Sequence, residues 1–306
     1  KIPTILKFLN AILAFILMQT SYGQSPLGLS WSELDSYLDN QGKIILTDTL
    51  ASNRADAAKN IASAFETYLT DKSTFSKKFV TSKFFSILYP ADSSFRIITG
   101  QHFVNDNEYR YYGGIQYAKG GYTAFTDRSY ENNEEGTNYD ELRADEWQGA
   151  LYYKLFDCKI KSEPYYLLLG FNGYQFFNKR KIIDVLSFDV NGQPIFGKDV
   201  FLPDSTDNGD TELRYIFTHS ADVSMKLNFD PAENMIVLDH LMQMKAIYDG
   251  QGETSVPDGS YEGFKYKKGK WQHVSVLAQK SLDNIEVKPI LNGDREINIF
   301  GKNKGK

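Results

Sequence analysis

A single cysteine, Cys158, stands in a chain of 306 residues, so no intramolecular disulfide can form and packing has to hold the fold. It falls late in an apolar, strand-like stretch, where a lone cysteine reads as a small buried hydrophobe rather than a nucleophile. Histidine is nearly as scarce. His102, His219, His240 and His273 are scattered, with no pair at the spacing metal ligands use, so neither a metal nor another cofactor is expected. Basic charge is also short. A net charge of -5 and a pI near 5.5 provide no field for phosphate backbones, which argues against a nucleic-acid partner. The chain has no Gly-x-Ser-x-Gly elbow, no His-Glu-x-x-His, no phosphate-binding glycine loop and no calcium loop. It has no fixed-period repeat, and no helix-strand alternation of the kind that builds a parallel sheet.

Long apolar runs are missing too. Residues 8–18 are apolar apart from Asn10, but this falls short of the ~17–25 residues that span a bilayer. With Lys1 and Lys7 before it and Ser21, Tyr22 and Gly23 after it, the run reads as a signal peptide over residues 1–23, cleaved before Gln24. The expectation is an exported protein, periplasmic or extracellular, with no stable membrane insertion after cleavage. No cysteine follows the run to carry a lipid.

What the chain does have is aromatic residues: 20 Tyr and 21 Phe, which suit the faces of sheets. Residues 24–78 read as a helical region. A capping pattern joins Ser30 to Glu33 ahead of Trp31, Leu34 and Leu38 and predicts a short helix. Ala55, Ala58, Ala62, Phe65 and Leu69 recur at helical spacing through residues 52–70 and predict a second helix with one apolar stripe. Residues 79–275 read as strands divided by turn chemistry, and residues 276–306 as a tail. Hairpins are expected around Asn105 to Glu108, Asp230 to Asn234, and Lys268 with Gly269. Residues 127–146 are acidic and poor in apolar side chains, so a long exposed loop or insertion is expected there.

The fold class that follows is mainly β (α+β). It is a large antiparallel meander of about ten strands, sandwich-like or layered, with one or two N-terminal helices packed on it. Its middle is the stretch 147–201. Ile182 and Leu186 fall on one face of a strand there, Ile183 and Val185 on the other, and Leu167 to Leu169 is continuously apolar. Strands apolar on both faces are buried on both faces, which favours a layered core over a membrane barrel.

The candidate chemistry lies in polar residues that interrupt apolar strands. Asp184 shares a face with Ile182 and Leu186, and Asp239 with Val237 and Leu241. A carboxylate on such a face needs a partner, and Arg214, Arg180 and Lys181 are available to form structural ion pairs. Asp239 and His240 suggest a catalytic dyad, but neighbours in a strand point to opposite faces. A hydrolase using carboxylates from separate strands stays open. The second idea is a binding surface built from Tyr109, Tyr111, Tyr112, Tyr117 and Tyr122, with Arg214 as a further candidate and cross-strand packing as the alternative. The partner expected on that reading is a cell-envelope glycan or protein, and a purely structural envelope component is a third possibility.

Several segments carry a family resemblance. Trp147 to Lys154 (WQGALYYK), Tyr166 to Gly170 (YLLLG) and Lys181 to Leu186 (KIIDVL) form its centre. Phe196-Gly197, Val237 to Leu241 (VLDHL), Pro257 to Phe264 (PDGSYEGF) and Gly269 to Trp271 (GKW) extend it. Over roughly residues 95–273 the chain resembles uncharacterised secreted β-rich proteins of Bacteroidetes-type bacteria. The resemblance implies a Gram-negative envelope setting and brings no activity or site residues with it.

Overall fold

A computed structural model describes residues 28–131, 137–202, 211–245 and 248–277. The expected signal peptide, the polar turn at 204–210 and nearly all of the tail lie outside these residues. Among these residues two α-helices, α1 (Trp31–Thr47) and α2 (Ala51–Tyr68), precede the strands. α1 starts as its capping box directs: Ser30 accepts from the Glu33 amide, and the Glu33 carboxylate takes the Ser30 amide in return at 2.9 Å. It continues past Leu38 to Thr47 because Ile45 extends the buried face begun by Leu34 and Leu38. Asp35 on that face accepts the amides of Val80, Thr81 and Ser82 and so ties the helix to the segment leading into the sheets.

Among the described residues the strands form three sheets, the layered form of the expected antiparallel architecture. The helix-side sheet is β1 (Ser86–Leu88), β2 (Phe95–Asn105), β3 (Glu108–Tyr117) and β4 (Tyr122–Ala124), in that order. The middle sheet runs β5 (Leu142–Arg143), β9 (Pro194–Phe196), β8 (Asn178–Phe188), β7 (Glu163–Asn172) and β6 (Leu151–Ile160), with β11 (Tyr215–Ser220) also on β8. The outer sheet is β10 (Phe201–Leu202), β15 (Lys270–Leu277), β14 (Thr254–Lys267), β13 (Met235–Met244) and β12 (Leu227–Asp230). The expected hairpins are present as β2/β3, β12/β13 and β14/β15, all antiparallel. Among the described residues one pairing departs from this and is parallel, between β10 and β15. The strand count exceeds about ten because pieces of two or three residues, such as β5 and β10, carry too little alternation to be read from sequence.

Three apolar layers separate the four tiers. Ile98 and Tyr112 of the helix-side sheet face Leu38, Ile61 and Phe65 of the helices. Their neighbours Ile97 and Tyr111 face Tyr166, Leu168, Ile182 and Leu186 of the middle sheet. The other face of the middle sheet, with Leu167, Leu169, Ile183 and Val185, packs on Ile236, Phe264 and Trp271 of the outer sheet. The stretch 147–201 thus supplies most of the layer covered on both sides, as its two-faced apolar pattern requires. One expected strand, residues 195–201, is divided between sheets. At Gly197 the backbone takes φ 92, and this bend sends β9 to the middle sheet and β10 to the outer one.

Residues 127–146 are more ordered in role than an exposed loop. Leu142 in β5 is a core residue, and half-buried Asp127 sets its carboxylate on the amides of Tyr111 and Ser129 at 2.9 Å each. Residues 132–136 lie outside the described residues. Among the described residues, no helix is long and apolar enough to cross a membrane.

Candidate functional site

Asp184 sits where the edge of β8 changes partner. Its first half pairs with β11 as far as Ile183 opposite Tyr215, and its last part pairs with β9 from Leu186 opposite Phe196. Arg214, the residue before β11, fills the gap. Its Nε donates to Asp184 at 3.1 Å, and its other nitrogens donate to the carbonyls of Phe196, Asp140 and Thr137. Tyr152 Oη (2.7 Å) and Gln148 Nε2 (2.9 Å) donate to the second carboxylate oxygen, and Trp147 Nε1 donates to Tyr152 Oη. Asp184, Arg214, Trp147 and Tyr152 have no exposure. Burial first, and then the Asp184 charge, push the Tyr152 phenol well above its ordinary pKa, so it donates its proton rather than losing it. This network closes a sheet junction. Arg214, expected as a candidate ligand contact, is buried in architecture instead.

Asp239 does not join it. It lies on β13 of the outer sheet, accepts the Lys226 amide at 2.6 Å, and precedes a bulge that breaks the alternation with Leu241. His240 pairs instead with Asp258 of β14, Nδ1 to Oδ2 at 2.8 Å, on the protein surface. Asp184 and Asp239 are thus on different sheets, and the structure does not bring these carboxylates together. Among the described residues no group of three or more His, Cys, Asp and Glu is placed to hold a metal.

The tyrosine candidates divide by face. Tyr111 and Tyr112 are each only 5% exposed, so neither is an exposed platform. Tyr111 accepts the Gly173 amide at 2.7 Å, while the Tyr112 ring lies over Gly100, where a Cβ would come within 2.4 Å of it. Tyr122 covers Gly114 in the same way, and Tyr117 donates to the Gly192 carbonyl at 3.0 Å. Rings laid over strand glycines are packing devices. Tyr109 alone of the five lines the polar cleft described next.

That cleft, of about 360 Å³, opens between the β2/β3 turn and the β7/β8 turn. Arg110 stacks on Tyr130 (3.6 Å to the ring centroid) and Arg180 on Tyr174 (3.3 Å). Asn107, Asn172, Gln175 and Ser129 add amide and hydroxyl groups to its lining. Each wall is held from behind. Asp127 pins the loop bearing Ser129, Glu108 pairs with Arg110 at 2.6 Å, and Asn172 Oδ1 caps the turn at the Tyr174 amide at 2.8 Å. At its deep side, past Ser129, Asn172 and Arg180, lies a recess of about 10 Å³ lined by Gln148 as well, room for one water-sized group. Gln148 gives its Nε2 to Asp184, and its buried Oε1 has no hydrogen-bond partner among the described residues. The buried junction therefore orients one side chain of the cleft. On the outer side of the same turn, Phe176 (54% exposed) and Phe177 sit beside exposed Tyr248, with Phe177 stacked on Tyr248 at 6.3 Å.

No match was found to known family models, to curated proteins or to solved structures. The site therefore has to be read from its own chemistry. Arg110, Tyr174, Gln148 and Phe176 were not singled out in the sequence. The available signal was the polar run Asn172, Gly173, Tyr174, Gln175 between two apolar strands, which marks a turn at a sheet end, where binding residues gather.

Proposed function

We propose that this is an exported, non-catalytic binding protein of the Gram-negative envelope, and that the Arg110/Arg180 cleft holds a sugar unit of an envelope glycan. The observation that carries the reading is the lining itself. Two guanidinium-tyrosine stacks and a set of fixed amides offer planar donors and acceptors to a ring bearing hydroxyls, and Gln148 Oε1 waits at the end for a donor. Phe176 and Tyr248 add exposed ring faces beside it on which a sugar can stack. Asp184 and Asp239, the carboxylates that motivated a hydrolase, are respectively buried in an ion pair and on another sheet. Export rests on the apolar run and its flanks in residues 1–23.

The test is the chain from Gln24 onward on an array of neutral, amino and uronic-acid glycans, followed by calorimetry with the best-bound glycan. Binding that Tyr174→Ala and Gln148→Leu each weaken supports the reading. An array with no bound glycan, or affinity indifferent to both variants, overturns it.

A further inference from the structure

Between α2 and the helix-facing side of the first sheet runs a groove of about 570 Å³. Ala55, Ala58 and Ala62 form its helical wall, and His102, Arg110 and Tyr112 lie on its sheet side. The register places His102 directly opposite Arg110 on β2 and β3, with Tyr112 one pair further along the same face. His102 Nδ1, Arg110 Nη1 and Tyr112 Oη are each buried and without a hydrogen-bond partner among the described residues. His102 is 9% exposed and Tyr112 5%. A buried polar atom without a partner costs about 1–3 kcal/mol, and native proteins keep few of them. Three along one groove mark a place where the partner comes from outside the chain.

The donors define that partner. Arg110 can only donate, and its Nη2 is already committed to Glu108. Tyr112 is a phenol whose pKa burial raises, so it keeps its proton to give. His102 is neutral, because burial, then the charges of Arg110 and Arg54, pull its pKa down to about 4, and its Nδ1 donates to an acceptor in the Nδ1–H tautomer. Arg54 spends its donors on the carbonyls of Phe103, Val104 and Asp48, and Lys59 is the further cation acting on His102. Facing these, Glu108 is paired, Asp127 is turned to backbone amides, and Glu66 stands on α2 next to Tyr122. None of these carboxylates reaches Arg110 Nη1, His102 Nδ1 or Tyr112 Oη, so an acceptor for them has to come from a ligand, and the alanines and Phe125 offer that ligand an apolar bed.

We propose that the groove binds an amphipathic monocarboxylate, its head at Arg110 and His102 and its apolar body along Ala55, Ala58 and Ala62. This site is separate from the glycan reading. The two adjoin at Glu108 and Arg110, so the deciding variants are taken from α2.

The probe is sodium octanoate, titrated into the chain from Gln24 onward by calorimetry and by the His102 ring resonance, with octan-1-ol as the neutral control. Octanoate is expected to bind and shift the His102 resonance, with octan-1-ol about tenfold weaker or more. Ala62→Leu and Ala55→Leu, each filling the groove from the helix, are expected to weaken octanoate about tenfold without altering glycan binding. No binding at about 10 mM octanoate, equal affinity for the alcohol, or affinity unchanged in both α2 variants would each overturn the proposal.

Discussion

Arg214 and Asp184 meet, Nε to Oδ1 at 3.1 Å, at the point where β8 exchanges β11 for β9. The arginine gives Asp184 a counter-charge and supplies donors to the carbonyls of Phe196 in β9 and of Thr137 and Asp140 ahead of β5, so it ties the segments that meet in the gap. Arg214→Met is expected to cost about 3–5 kcal/mol in urea unfolding, since it strands a buried carboxylate as well as the carbonyls. Asp184→Asn should cost less, because its amide oxygen still accepts from Arg214. Equal losses would show that the charge pair, not the filling of the gap, holds the junction.

Gly197 stands at the same junction. A Cβ there would lie 2.6 Å from Arg214 Nη2, and its φ is 92. Gly197→Ala should therefore destabilise by about 1–3 kcal/mol. Gly252→Ala, at φ 71 with nothing within 4 Å, should show the smaller cost of backbone strain alone. Thermal melts of the two variants decide it, and a Gly252→Ala loss as large as that of Gly197→Ala would refute the steric argument.

Asp35 gives a pH signature. Burial would raise its pKa, but the amides of Thr81, Ser82 and Val80 more than offset this and hold it below the ordinary carboxylate value. A depressed folded pKa contributes stability above the unfolded value, about 3.9, and loses it as the pH falls through the folded one. Asp35→Asn should lower stability at pH 7 by about 1–3 kcal/mol, and the gap to the wild type should close in acid. A gap that stays constant down to acid unfolding would contradict the assignment.

His102 acts on the acid side as well. Its folded pKa, about 4, is below that of an unfolded histidine, so the unfolded state binds the proton first and stability falls as the pH drops from about 6.5 towards 4. Ring resonances should show His102 still neutral at pH 5.5, where an exposed histidine is charged. A midpoint near 6.5 would mean that the ring is solvated.

Cys158 should behave as a shielded, partly buried thiol. Burial pushes its pKa up to about 11, and it packs against the layer between the middle and outer sheets. At pH 8 the folded protein should react with a thiol-specific disulfide reagent far more slowly than the urea-unfolded chain. Equal rates would place the sulfur in solvent.

Local chemistry was legible in the sequence. Ser30 and Glu33 start α1 because a cap needs only four neighbouring residues, and the turns around Asn105, Asp230 and Gly269 make hairpins for the same reason. Leu167 to Leu169 and Ile182 to Val185 announced a layer covered on both faces, because side chains alternate at a period of two.

What only the tertiary structure decided is which polar groups meet and which rings are covered. Arg214 reaches Asp184 across 30 residues, and His240 finds Asp258 across 18, through strand order that no local pattern encodes. Tyr112 is as aromatic in sequence as Tyr130. One lies over Gly100 beneath the helices and the other stands 56% exposed at the cleft. Sequence spacing determines the face a side chain takes on its strand, whereas the stacking of sheets and helices determines what covers that face.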